Sequence, residues 1–354
     1  MQKISFEDLG KVYVDEALKN YDYNKELLLV GYSFTHPAGI EKLRTQWSQV
    51  DKNELAIGRT TEQTAFVKLY DVGGGISLID LNVDTNNPPH VLADMDITNP
   101  MGLCYYPKTK ELLVGSAQGI KAVSNGKIVR SLNNNLFNQV HVIIPSERGV
   151  YAACSSTDSI VEFDPINPGR TIWDWLATEH GFETNKKGIK RSIDRSVNYQ
   201  NEMEGTRDHT THINSIEKYN EEYLLATLFH QGVVIKISKQ TGDFKVVLDG
   251  LTNPHGIHKT VDGFIVSDTR GNRTLILDKN LKVKKVIKGD FDWVQDSIEF
   301  KDYYVVGNDN KGRFDIYSKS GKLSDQLYWG ENLRKLSSIY KVTGKIAKEI
   351  FIKK

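Results

Sequence analysis

A chain of 354 residues with 46 Lys and Arg against 45 Asp and Glu carries a formal net charge of +1. That balance supplies no basic stripe for nucleic acid and no polybasic surface for anionic lipid, so a small molecule or a protein is the better partner. The start, MQKISFEDLG, lacks a signal-peptide core, and no run of about eighteen apolar residues occurs, so the expectation is a cytoplasmic protein without a membrane span.

Taken in chain order, short apolar runs ending in a small or polar residue recur six times: LLLVGYS (27–33), ELLVGS (111–116), GVYAACS (149–155), YLLATL (223–228), GFIVSD (263–268) and YYVVGN (303–308). Each is followed, at once or after an insertion, by a second strand-like run such as GIKAVSNG, SIVEFDP or GVVIKISKQTG, often closing on a turn signal. Ahead of most pairs lies a third piece with an aliphatic two residues after a polar or sulfur side chain: NPMGL (99–103), QVHVI (139–143), HINSI (212–216), NPHGI (253–257) and VQDSI (294–298). A unit of three or four strands repeating at roughly 40 residues is the period of a propeller blade. The sequence thus predicts an all-β fold: a single domain over 1–354, a six-bladed β-propeller with four-stranded antiparallel blades. The C-terminal SSIYKV pairs with N-terminal strands to close the ring. Amphipathic helices at crossover spacing are scarce, which disfavours an α/β fold.

Two segments break the period, at about 34–72 and 170–208. Strand alternation brings both out on the face where the inner strands begin, and loops of this length favour a lid over the channel mouth. Cys104 and Cys154 lie inside apolar runs and read as core thiols, being too few for a disulfide framework and wrongly spaced for zinc.

The innermost strand of a blade lines the central channel. Aligning the third pieces on their aliphatics places Met101, His141, Asn214, His255 and Asp296 in a partial ring, with Met101 as filler. His212, two residues before Asn214, faces the channel one layer nearer the mouth. Each of these also has a structural reading, since a histidine near a strand start can bond a neighbouring blade's backbone. Loops joining second and third strands add Phe229-His230-Gln231, Thr269-Arg270 and Asn308-Asp309 on the same face. Arg270 would bring a cation near the ring, and Trp173 and Trp175 either wall a pocket under the lid or pack against the outer strand. His36 and His180 read as surface residues; His209 and His258 fall in loops or beyond the ring.

The run His212-Ile213-Asn214-Ser215-Ile216, with Gln231 after the next strand and a Lys-Ile…Thr-Gly strand following, resembles the arylsulfate sulfotransferase-like propellers. The next blade, NPHGI…DGFIVSDTRGNR, is similar to that family's histidine-bearing blade and to NHL-type repeats. The similarity covers about residues 136–275. It implies that His255 is the nucleophile that accepts the transferred group, supported by His141, His212 and Asn214. The family's arginine falls where this chain has Phe229, with Arg270 or His230 as substitutes.

Three functions follow. The first is group transfer or acid–base chemistry on a phenolic or similar small molecule, with no cofactor: His255 is nucleophile or base, His141 and His212 are proton donors or oxyanion partners, and Asn214 orients them, while Arg270, His230, Asp296, Trp173 and Trp175 bind substrate. Imidazoles suit this because their pKa lies near the working pH, and clustering favours the neutral form. The second assigns His141, His212, His255 and Asp296 to a divalent metal, Zn²⁺, Mn²⁺ or Fe²⁺, as in gluconolactonase-like or streptogramin-lyase propellers. The third is a non-catalytic propeller that binds a ligand or protein on its rim.

Overall fold

The computed structural model describes residues 2–3, 12–34, 74–83, 89–97, 99–200, 202, 204–329 and 334–352. Five blades follow the chain directly. Blade 2 is Gly102–Tyr106, Glu111–Ser116, Gly119–Ser124 and Lys127–Leu132; blade 3 is Val140–Pro145, Val150–Cys154, Ser159–Asp164 and Asn167–Leu176. Blade 4 is Ile213–Lys218, Tyr223–Leu228, Val233–Ser238 and Phe244–Leu248; blade 5 is Pro254–Lys259, Gly263–Asp268, Arg273–Asp278 and Val283–Ile287. Blade 6 is Val294–Glu299, Tyr303–Asn308, Arg313–Ser318 and Leu323–Tyr328, with Gln2–Lys3 added in parallel outside.

Blade 1 is built from both ends of the chain. Its inner strand is Arg334–Thr343, paired antiparallel with Glu26–Phe34; Gly74–Asp80, His90–Asp96 and Val12–Val14 follow outward. The predicted closure by SSIYKV is therefore present, with Ser338 opposite Gly31 and Ile339 opposite Val30. The six inner strands touch in cyclic order, so the sheets form a closed all-β six-bladed propeller.

The apolar residues pack between blades, because each sheet carries alternating side chains to two faces and must cover both. Leu225, Val234, Ile257 and Val266 join blades 4 and 5; Leu28, Val30, Ile298 and Val305 join blades 6 and 1. Cys104 and Cys154 are wholly buried in the layer between blades 2 and 3, as core thiols, and burial pushes both up to about 12. The C-terminal helix α1, Gly344–Phe351, is capped by the Thr343 hydroxyl and buries Ala347, Ile350 and Phe351 against blades 1 and 2.

The insertion expected at 34–72 lies, beyond Phe34, outside the described residues, as does His36. The second insertion begins later than predicted: residues 170–176 extend the outer strand of blade 3, and the excursion proper runs from the short 3-10 turn Ala177–Glu179 to Asp208. Polar ties fasten it to the axial face. Asn138 Nδ2 donates to the carbonyls of Tyr199 and Glu202, Gln139 Nε2 donates to Glu204 O, and Lys186 Nζ donates to His230 O.

Ring closure relies on apolar burial in the inner strand of blade 1. Ile339→Ala, at a side chain only 2% exposed, is expected to cost about 2–5 kcal/mol in urea unfolding.

Candidate functional site

The inner strands of blades 3 to 6 begin in one way, which blades 1 and 2 share in part. A residue in the left-handed region precedes the strand: Asn99 (φ 45°), Gln139 (φ 49°), His212 (φ 51°), Asn253 (φ 56°) and Trp293 (φ 64°) in blades 2 to 6. The ladder then slips by a bulge, at Val140/Val142, Ile213/Ser215, Pro254/Ile257, Val294/Asp296 and Leu336/Ser338. A bulge frees one residue from pairing and re-aims its side chain. The freed residues are His141, Asn214, His255, Gln295 and Ser337, with Met101 at the matching place in blade 2. The predicted ring is thus correct for Met101, His141, Asn214 and His255 and one residue off in blade 6, where Gln295 takes the place assigned to Asp296. Aligning VQDSI on Ile298 overlooked that the register pairs Ser297, not Ile298, with Val306.

Asp296 turns instead into the seam between blades. Its Oδ1 contacts His258 Nε2 at 2.7 Å and its Oδ2 accepts from Ile339 N at 3.4 Å. A Cβ at Gly256 would collide with that carboxylate, so this glycine is what lets blade 5 approach it.

The tautomers of two ring histidines follow from their partners. Thr269 Oγ1 donates to Val294 O at 2.7 Å, so it accepts from His255 Nδ1, also at 2.7 Å. Ser155 Oγ donates to Ile213 O, so it and the carbonyl of Gln139, both 2.9 Å away, accept from His141 Nδ1. Both protons sit on Nδ1, which leaves both Nε2 atoms as lone pairs. The ring of His212 stands 5.1 Å from that of His141, and Phe229 lies between His212 and His255 at 5.2 and 5.0 Å. Trp293 covers the other side of His255 at 5.8 Å. Phe229 therefore places an aromatic wall where the resembling family has an arginine.

His212 is held by its neighbours. The buried Asp158 carboxylate of blade 3 accepts from the backbone N–H groups of Thr210, Thr211 and His212 at 2.7–2.8 Å, and from the Thr211 hydroxyl. Arg191 of the insertion donates to the same carboxylate and to Glu204, so excursion and loop form one polar unit. His209, absent from the sequence reading of the site, is fully buried and meets His212 edge to edge, the ring centroids 4.8 Å apart. The only trace of it in the sequence is its spacing, three residues before His212 in a tight loop. His230 lies 5.8 Å from His212 and donates its Nε2 proton to Thr206 O.

Several polar atoms here have no partner. Both side-chain atoms of Asn214, His209 Nε2 and Thr210 Oγ1 are buried and make no hydrogen bond. An unmet buried polar group costs about 1–3 kcal/mol, and its natural remedy is a bound molecule or water. Burial is also the main reason that the imidazoles stay neutral. It lowers His141 and His230, and takes His209 and His212 well below the usual range. His255 is pushed down to about 3, by burial and then by any charge on His141. Burial opposes a charge on His258 too, yet the Asp296 carboxylate outweighs it and raises that pKa.

The remaining predicted residues lie off the ring. Arg270 is exposed, its guanidinium 5.5 Å over the Trp293 ring. Trp175 is buried between blades 3 and 4, donating to Gly242 O and stacked on His180, so His180 packs rather than standing free on the surface. Trp173 packs on Tyr151 in the same layer; neither tryptophan walls the channel. Among the described residues, no three His, Cys, Asp or Glu side chains are grouped to hold a metal ion. The set His141, His212, His255 and Asp296 does not converge, because Asp296 is engaged by His258 and the Ile339 backbone.

No protein-family profile matches this chain, and no curated protein does. Solved structures do. A protein of unknown function from Bacteroides caccae is 14% identical over 90% of this chain and 98% of its own, with a TM-score of 0.52. A chain of a nidogen/laminin complex is 12% identical over 90% and 99%, with a TM-score of 0.53. The periplasmic gluconolactonase of Pseudomonas aeruginosa is 12% identical over 77% and 81%, at 0.46. The first two, at identities this low, speak for the fold alone and leave the chemistry to the residues. The arylsulfate sulfotransferase resemblance gains no support from them.

Unfolded histidines protonate near about pH 6.5, whereas the folded chain keeps His141, His209, His212 and His255 neutral. Stability from these groups is therefore complete above that pH and lost as pH falls, by at most about 1.4 kcal/mol per unit for each. His258 works in the opposite sense. Thermal melts from about pH 7 to about pH 5 are expected to show a falling Tm, and His255→Gln to make the fall shallower. Asp158→Ala takes one of the two carboxylates from Arg191 and leaves three N–H groups unmet, and is expected to cost about 3–5 kcal/mol by denaturant unfolding.

Proposed function

We propose that this protein is an enzyme acting on a small phenolic or similar hydroxyl-bearing molecule at the channel axis, by acid–base or group-transfer chemistry carried by histidine. The observation behind this reading is the pair of Nε2 lone pairs on His141 and His255, their tautomers set by Ser155, Gln139 and Thr269, beside a buried Asn214 amide with no partner.

A neutral imidazole serves as base or nucleophile without first losing a proton, and burial keeps His255 neutral throughout the physiological range. In the acid–base form, His255 Nε2 takes the substrate's hydroxyl proton. The imidazolium formed is stabilised by the oxyanion it creates, while the Thr269 hydroxyl holds the Nδ1 proton. In the transfer form, a bond forms from His255 Nε2 to the transferred group as the bond to the phenolic oxygen breaks. His212 and Asn214 Nδ2 then meet that oxygen's charge, a role supported by the unpartnered Asn214 amide. Phe229 and Trp293 flank His255 and offer faces for an aryl ring.

The test is turnover of 4-nitrophenyl sulfate and 4-nitrophenyl acetate, with phenol as acceptor, followed by nitrophenol release. His255→Gln and His141→Gln are expected to lower kcat/KM by about 10²–10⁴-fold while the Tm at pH 8 is kept. Turnover unchanged by His255→Gln would sink the assignment.

A further inference from the structure

We propose that His209 holds His212 with its proton on Nε2, so that the axial site offers one imidazole donor beside two imidazole acceptors and takes a neutral ligand bearing at least two hydroxyl hydrogens. The ligand class rests on the axial site of the proposed function; the tautomer does not.

The two Nδ1 atoms lie 2.6 Å apart, edge to edge, with the ring planes 20° from parallel. That separation admits a single hydrogen, so one ring donates and the other accepts. In either arrangement His209 Nε2 is buried without a partner, as an N–H if His212 donates and as a lone pair if His209 does, so the neighbouring charge decides between them. Arg191 is bound at 2.8 Å to the Asp158 carboxylate that holds residues 210–212, and its positive charge beside His209 opposes a hydrogen on that Nε2 and favours a lone pair. With His209 as donor, its buried Nε2 is that lone pair, and the proton of His212 moves to its own Nε2. The Asp158 carboxylate fixes the backbone of 210–212, which keeps the two rings in register.

The pattern on the axis follows. His141 and His255 present Nε2 lone pairs, His212 presents an N–H, and Asn214 presents one empty donor group and one empty acceptor. An ionised ligand that can only accept would face two lone pairs. The cations nearby are otherwise engaged: Arg191 by Asp158 and Glu204, Lys186 by His230 O, and Arg270 at the exposed edge over Trp293. A neutral ligand with two hydroxyls donates to His141 and His255 and accepts from His212 and Asn214, meeting each group in kind.

Two measurements test this on the full chain. Nitrogen NMR of histidine-labelled protein, with the His212 signals assigned by their loss in His212→Gln, is expected to show its proton on Nε2. A proton on Nδ1 in the unaltered protein would overturn the tautomer whatever the enzyme assay reports. Calorimetry at neutral pH is expected to show resorcinol, a neutral diphenol, binding at least about tenfold more tightly than phenyl sulfate. His209→Asn keeps a donor where Nδ1 stood and should hold resorcinol affinity within about threefold, while His209→Leu removes the donor and should weaken it about tenfold. Phenyl sulfate preferred, no resorcinol binding, or equal affinity in the asparagine and leucine variants would each refute the ligand class.

Discussion

The pairing of Arg334–Thr343 with Glu26–Phe34 is the constraint on which the molecule depends. Consecutive blades cover one another's apolar faces, but until the last blade meets the first, each of those two keeps one apolar face without cover. By making the inner strand of blade 1 from the end of the chain, the protein joins its two ends by a continuous ladder and seals the layers between blades 6 and 1 and between 1 and 2. Closure also sets the radius at which the inner strands begin, and so the distance at which residues from different blades face one another.

At that radius a second device acts. A left-handed residue followed by a bulge starts the inner strands of blades 3 to 6, and in each the bulge frees a residue from the ladder. The carbonyl of the left-handed residue in turn receives the N–H that follows the second strand, as Gln139 O does from Ser155 and Trp293 O from Asp309. Side chains from the turns of one blade brace the start of the next: Asp158 holds 210–212, and Asn272 accepts from Trp293 N. Of the freed groups, Gln295 is satisfied by Trp293 and Ser337 O, whereas the Asn214 amide is buried with neither atom paired, an arrangement that costs stability.

Much of this was legible in the residues. Six apolar runs at a common spacing require six equivalent sheets, because a blade cannot cover its own faces, and that repeat led directly to His141, Asn214 and His255 as residues meeting at the centre. The same method misplaced blade 6 by one residue, since a bulge leaves no mark on hydrophobic alternation and moves the ring position from Asp296 to Gln295. It passed over His209 because a buried loop residue and an exposed one look alike in sequence. Trp173 and Trp175 were ambiguous for a related reason: the outer strand of blade 3 is longer than its neighbours, and its aromatic residues are spent on the layer against blade 4.

The sequence by itself determined the number of blades, their strand order and which histidines approach the axis, because periodicity and alternation are local properties that each repeat states independently. Only the tertiary structure decided which nitrogen of His141 and of His255 is free, that Phe229 contacts both His212 and His255, and that His209 Nδ1 meets His212 Nδ1. Those outcomes depend on contacts between residues in different blades or in the insertion, and such contacts exist only once the ring has closed.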